Sequence, residues 1–112
     1  MRVAFLTGGD AAALSQLKID AICARHSLVS WLEYPRPDVL VAVEPLTGIE
    51  PYLHAAKAGG VPIFLVMAEV PSHGFAWWAH THLATHQCKS ATEVLAALKV
   101  EAHQPLHKAV RS

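Results

Sequence analysis

The side chains with the most chemical capacity crowd into one stretch of this chain: His73, His80, His82, His86 and Cys88, residue types that bind metals or serve as nucleophile and base. On extended backbone alternate residues share a face, so His80 with His82 and His86 with Cys88 would line up, and a tetrahedral zinc set can be drawn. The spacing matches no established zinc finger, however, and His80 and His86 fall at expected strand ends, where a solvated imidazole costs nothing. The sequence therefore predicts no metal and no cofactor here. Cys88 near His86 and Ser72 beside His73 are the pairings available for nucleophilic catalysis. Adjacency in sequence does not supply the geometry of attack, and no third residue stands ready to orient the base, so no catalytic residue is assigned and no enzyme is expected. His103 and His107 are four apart, but Pro105 between them breaks the helical spacing, and both read as exposed.

Two further stretches carry possible function. Thr7-Gly8-Gly9-Asp10 follows an apolar run and opens a helix, the place where open α/β sheets bind ligands. Asp10 puts negative charge where a phosphate would sit, and the G-x-G-x-x-G pattern is absent, which favours a plain turn capped by Asp10. Glu44, alone at a strand end, reads as a polar loop residue rather than a general base. In Phe75-Ala76-Trp77-Trp78-Ala79 the neighbouring side chains diverge by about 100° on a helix or about 180° on a strand, so Trp77 and Trp78 cannot both enter a small core. Phe75, Trp77 and Trp78 are accordingly the candidate partner-binding residues, since aromatics are enriched where partners bury surface.

The elements that must hold these residues are organised around Arg36-Pro37-Asp38-Val39-Leu40-Val41-Ala42-Val43-Glu44-Pro45, an apolar run too short for a helix and too uniform for a half-exposed strand. It reads as a central parallel strand buried on both faces. Val3 to Thr7 and Pro62 to Met67 are similar runs, and helical patterns separate the three, so the chain reads as an α/β domain with a parallel sheet. A first helix is expected from Ala11 to about Lys18. Ile19 to Ala24 is then read as the second strand, and Ser27 to Glu33 as a short helix with Leu28, Trp31 and Leu32 inward. The rival order makes Asp10 to Arg25 one helix and Leu28 to Leu32 the strand; it leaves only Glu33 to Pro37 as a crossover, and a parallel pair needs about a dozen residues. Thr47-Gly48-Ile49-Glu50 and Ser90-Ala91-Thr92-Glu93 are capping-box patterns. The first opens a helix with Pro51 in its first turn, Ile49, Tyr52, Leu53 and Ala56 on one face, and Gly59-Gly60 as its stop. The second opens a helix presenting Val94, Leu95, Leu98 and Ala102. Between them a short helix near Phe75 to Ala79 and a fifth strand at about Thr81 to Thr85 are expected.

The 112 residues suit one domain, with about 105–112 as tail or linker. Nine basic and nine acidic residues cancel, so nothing draws the chain to nucleic acid or an anionic membrane. With 53% hydrophobic and 16% charged residues, apolar side chains should remain after one core is filled, which points to a docking face. No run is long enough to span a membrane or act as a signal peptide, and Cys23 and Cys88 read as reduced, buried thiols, so a soluble cytoplasmic protein is expected.

The cadence Pro37-Asp38-Val39-Leu40-Val41 leading into Pro45-Leu46-Thr47-Gly48-Ile49-Glu50 resembles a response-regulator receiver domain, as do Gly60-Val61-Pro62-Ile63 and Ser90-Ala91-Thr92-Glu93. The resemblance implies a flavodoxin-like, three-layer, five-stranded parallel sheet in the order 2-1-3-4-5. It also implies where phosphotransfer residues would stand: the magnesium-binding acidic pair at Thr7 and Gly8, the phospho-acceptor at Val43, the hydroxyl at Met67 and the lysine near Gln87. None has the required chemistry, and Glu44, one residue along, points to the opposite face. What the resemblance implies is a pseudo-receiver, as found at the amino terminus of pilus-assembly or partitioning ATPases, acting in signalling through a protein partner or a second copy of itself. The alternative is a small ligand- or nucleotide-binding protein or enzyme using the pocket at the carboxyl ends of the first and third strands.

Overall fold

The computed structural model describes residues 1–9, 14–23, 25–67 and 72–102. Asp10 and its expected cap, His103, His107 and the tail lie outside these, as does the side chain of Ala102. The elements run β1 (Arg2–Thr7), α1 (Ser15–Cys23), β2 (Ser27–Leu28), β3 (Val39–Val43), α2 (Glu50–Ala58), β4 (Ile63–Val66), α3 (Gly74–Trp78), a π-helical turn (Ala79–Leu83), β5 (His86–Cys88) and α4 (Ala91–Ala102). The strands form one five-stranded sheet in the order β2-β1-β3-β4-β5, with every pairing parallel. This is a flavodoxin-like α/β fold.

Alternation along the central strands divides the core in two. Ala4, Leu40, Ala42, Ile63 and Leu65 face Trp31, the Leu53 and Ala56 side of α2, and Ala79 and Leu83 of the π-helical turn. Val3, Val39, Val41, Phe64 and Val66 face Leu14 just before α1, Leu17 of α1, and Val94 and Leu98 of α4. Period-2 strands therefore put the helices in two outer layers. Tyr52, expected on the inner face of α2, is 39% exposed. Helix α2 is not closed by Thr47; instead the Glu50 carboxylate accepts from the Gly48 N–H at 2.7 Å. At α4 half of the box forms: Glu93 N–H donates to Ser90 Oγ at 3.3 Å, while the Glu93 carboxylate accepts from the N–H of Lys89, one residue before the cap, rather than from that of Ser90.

Three expectations are corrected. The strand expected over Ile19 to Ala24 is not formed: α1 holds Ile19 to Cys23 as helix, with Leu14, Leu17 and Ala21 buried at helical spacing and Ile19, Ile22 and Cys23 exposed, while Ala11 and Ala24 lie outside the described residues. Ser27 to Glu33 is not a helix: Ser27–Leu28 is β2, and Leu32 is 73% exposed. Thr81 to Thr85 is not the fifth strand, because the π-helical turn occupies 79–83 and pairing starts only at His86.

The rival order of helix then strand is the one adopted, and the strand is nevertheless parallel to β1. Strand length explains why so little crossover suffices. β2 ends at Leu28, level with Val3, and β3 starts at Val39, also level with Val3. A two-residue strand gains almost no height, so the chain has only to pass sideways beneath β1, and no helix is required to bring it back.

Trp31 performs the covering role of that missing helix, and the segment around it is tied down at several points. Arg36 lies over its ring at 5.0 Å and donates Nη1 to the Trp31 carbonyl at 2.6 Å. Arg2 donates to the carbonyls of Pro35 and Arg36 and pairs with Glu33 at 3.2 Å. Trp31→Ala is therefore expected to cost about 3–5 kcal/mol in urea unfolding. Leu32→Ala, one residue on but exposed, should change stability by no more than about 0.5 kcal/mol. Equal losses at the two positions would refute the covering role.

Candidate functional site

In open α/β sheets the place to look is the rim beyond the carboxyl ends of the strands. The register sets Thr7, Val43, Val66 and Cys88 in one row across the sheet, with Gly8, Glu44 and Met67 one step beyond. Thr7, Gly8, Val43, Glu44 and Met67 are thus brought to one rim, while Gln87 sits a step lower, opposite Leu65. Val43 and Met67 are buried in apolar surroundings on opposite faces of the sheet. A carboxylate at either position would be held away from water, and neither side chain offers an oxygen to a cation.

The glycine turn is closed against its neighbour. Gly8 N–H donates to the Pro45 carbonyl at 2.8 Å, and Gly9 N–H donates to Thr7 Oγ1 at 3.2 Å. A Cβ on Gly8 would stand 1.8 Å from the Thr47 carbonyl oxygen, and one on Gly9 would stand 2.7 Å from Pro45 Cδ. These glycines are needed for the contact between two backbone segments. Their amides are engaged within it and do not aim at a ligand, which removes the physical basis of anion binding at such a turn.

The histidine-rich stretch does not converge. His73 is exposed at the start of α3, and His82 packs on Trp77 and Trp78 with ring centroids 6.1 and 5.5 Å apart. His86 stands edge-on to Phe64 at 4.7 Å, on the other face of the sheet, where Cys88 also lies. The π-helical turn accounts for the split: residues expected to alternate on a strand are wound around a helix first. Among the described residues no three His, Cys, Asp or Glu side chains are grouped to hold a metal ion. Burial, and secondarily the charge of Glu93, pushes the Cys88 thiol up to about 11, so it is no thiolate nucleophile near neutrality. His80 Nδ1 and Gln87 Nε2 are buried with no hydrogen-bond partner among the described residues, a local cost of about 1–3 kcal/mol each.

The aromatic stretch does converge. Trp78 contacts His54 of α2 at 5.0 Å, Phe75 at 5.8 Å and His82 at 5.5 Å, and Phe75 also contacts His54 at 6.0 Å. Trp77, 40% exposed, leans edge-on against His82. Ala79 and Leu83, buried in the next turn, fix this group of rings to the core. Sequence reasoning singled out Phe75, Trp77 and Trp78; that His54 and His82 pack with these rings was not legible, because their positions depend on α2 packing beside the π-helical turn.

Gly8→Ala should destabilise the fold by about 1–3 kcal/mol through backbone collision. Gly59→Ala, at φ −84° and with its nearest contact 3.3 Å away, should change stability by less than about 1 kcal/mol. In native protein iodoacetamide should label Cys23 and spare Cys88 until unfolding. Because the folded state holds the Cys88 proton more tightly than the unfolded chain, its contribution is whole below about pH 9 and is lost as pH rises toward about 11. Urea midpoints measured across that range should fall less steeply in Cys88→Ala. No family model matches the chain, and neither does any curated protein or solved structure, so the fold and the geometry of its surfaces are what bears on function.

Proposed function

We propose that this is a receiver-like regulatory module without phosphotransfer, which works in signalling by binding a protein partner or a second copy of itself through Phe75, Trp77 and Trp78. The observation that carries the reading is the ring cluster: Trp77, 40% exposed, leans on His82, which also packs on Trp78, and α3 runs directly into a turn rooted in the core. Large aromatics held rigid before a partner arrives lose little entropy on binding, which is what anchor residues require. The rim supports the negative half of the reading, because Thr7, Gly8, Val43 and Met67 supply no carboxylate for magnesium or phosphate. The zero net charge agrees with a protein rather than a nucleic-acid partner, and no helix among the described residues is long and apolar enough to cross a membrane.

Trp77 is the residue to test, since its exposure separates binding from folding. Trp77→Ala should lower affinity for the partner or for the second copy by about 2 kcal/mol or more, read by sedimentation and pull-down, with the urea midpoint nearly unchanged. Unchanged mass and undiminished pull-down would remove the aromatic face from the reading. Incubation with acetyl phosphate should leave the protein unmodified, and phosphate on any carboxylate near Glu44 would overturn the loss of phosphotransfer.

A further inference from the structure

The sheet has one strand position that is filled for only part of its length. β1 pairs with β3 from Val3 to Thr7, but on its other side only Arg2 and Val3 are met by β2. Hydrogen-bonding direction alternates along a strand. The Val3 carbonyl accepts from Val29 N–H at 3.0 Å on the β2 side, whereas the Arg2 carbonyl and Gly8 N–H bond to Asp38 and Pro45 on the β3 side. By that alternation the N–H and C=O groups of Phe5 and Thr7 point to the β2 side, beyond the place where β2 has ended. Among the described residues no strand meets them.

A cleft of about 360 Å³ lies at this position. Phe5 and Leu6 form its floor, Val29 closes one end, Lys18 of α1 stands on one side, and Trp31 and Glu33 stand on the other. Phe5 packs with the α1 and α4 core and Leu6 with the Trp31 core, so the cleft spans the sheet edge from one outer layer to the other. That is the space of a strand. Two exposed apolar side chains are close in sequence to its lining, Ile22 one turn on from Lys18 and Leu32 next to Trp31. Glu33 is already paired with Arg2, while Lys18 is half-buried with no ion pair among the described residues.

We propose that this cleft takes an extended peptide segment of a partner protein as an added β-strand beside Phe5–Thr7, with a carboxylate of that segment against Lys18. Backbone bonds to Phe5 and Thr7 supply register and affinity, and the lysine selects acidic sequences. The site is separate from the aromatic cluster and does not depend on it.

Amide hydrogen exchange on the full chain tests the premise first: Phe5 and Thr7 should exchange faster than Ala4 and Leu6, which bond to β3. Linear peptides selected by phage display on the full chain should carry Asp or Glu and should slow exchange at Phe5 and Thr7. Methylating a peptide nitrogen that bonds to β1 should weaken binding about tenfold. Lys18→Glu, or Lys18→Gln if the reversal fails to fold, should weaken it about tenfold as well, while Trp77→Ala should not alter it. Protection of Phe5 and Thr7 in the free chain at every concentration would overturn the proposal, as would failure to select peptides or indifference to both Lys18 variants. Protection that grows with protein concentration alone would replace the peptide with a second copy of this chain.

Discussion

Val39 to Val43 of β3 meet no solvent to speak of on either face, none being more than 7% exposed, and a strand so placed must have its N–H and C=O groups met by strands on both sides. β1 and β4 meet them, in parallel, and parallel neighbours oblige the chain to cross back over the sheet each time. Those crossings are the outer layers. The unbroken apolar character of β3 also decides what its carboxyl end can do, because it continues into Val43 and is matched by Met67 beyond β4. A rim built this way is a continuation of the core, and the glycine turn after β1 is drawn onto the segment after β3 as one more packing contact.

Elements were legible in the sequence where a local signal and the tertiary demand coincide. Helix α2 stops at Gly60 with φ +75°, its N–H bonded to Lys57 and that of Val61 bonded to Ala56, and glycine announces such an ending. Helix α1 ends with the same pair of bonds, Arg25 to Ile22 and His26 to Ala21, but the left-handed residue is Arg25 at φ 69°. No glycine marks this stop, so nothing local in the sequence distinguishes the second half of α1 from a strand. Trp31 misled in a related way. Its burial was foreseen, but an aromatic in a connection can cover a sheet face as a helix does, and the residue's hydrophobicity cannot tell the two apart.

The candidate site divides along the same line. Exposure of one tryptophan in the Trp77-Trp78 pair follows from the angle between neighbouring side chains and needed no tertiary information. Participation of His54 and His82 did need it, since it depends on which helix lies beside which turn. The histidine cluster was a false convergence because a single π-helical turn redistributed the residues between two faces of the sheet.

Short edge strands are one way a sheet avoids pairing with other chains, and both edges here are short. Their consequences differ because what matters is the length of the strand behind. β5 has three residues and reaches from Phe64 to Val66, nearly all of β4. β2 has two residues against a six-residue β1, so a remainder of that strand is left beside a cleft walled by α1 and the Trp31 segment. The sideways crossover that makes a helix unnecessary between β2 and β3 is thus the same economy of chain that leaves the end of β1 without a strand beside it among the described residues. In a fold whose rim is given over to packing, the surfaces left to be distinctive lie away from that rim, one where α3 and the π-helical turn group their rings and the other where a strand ends early.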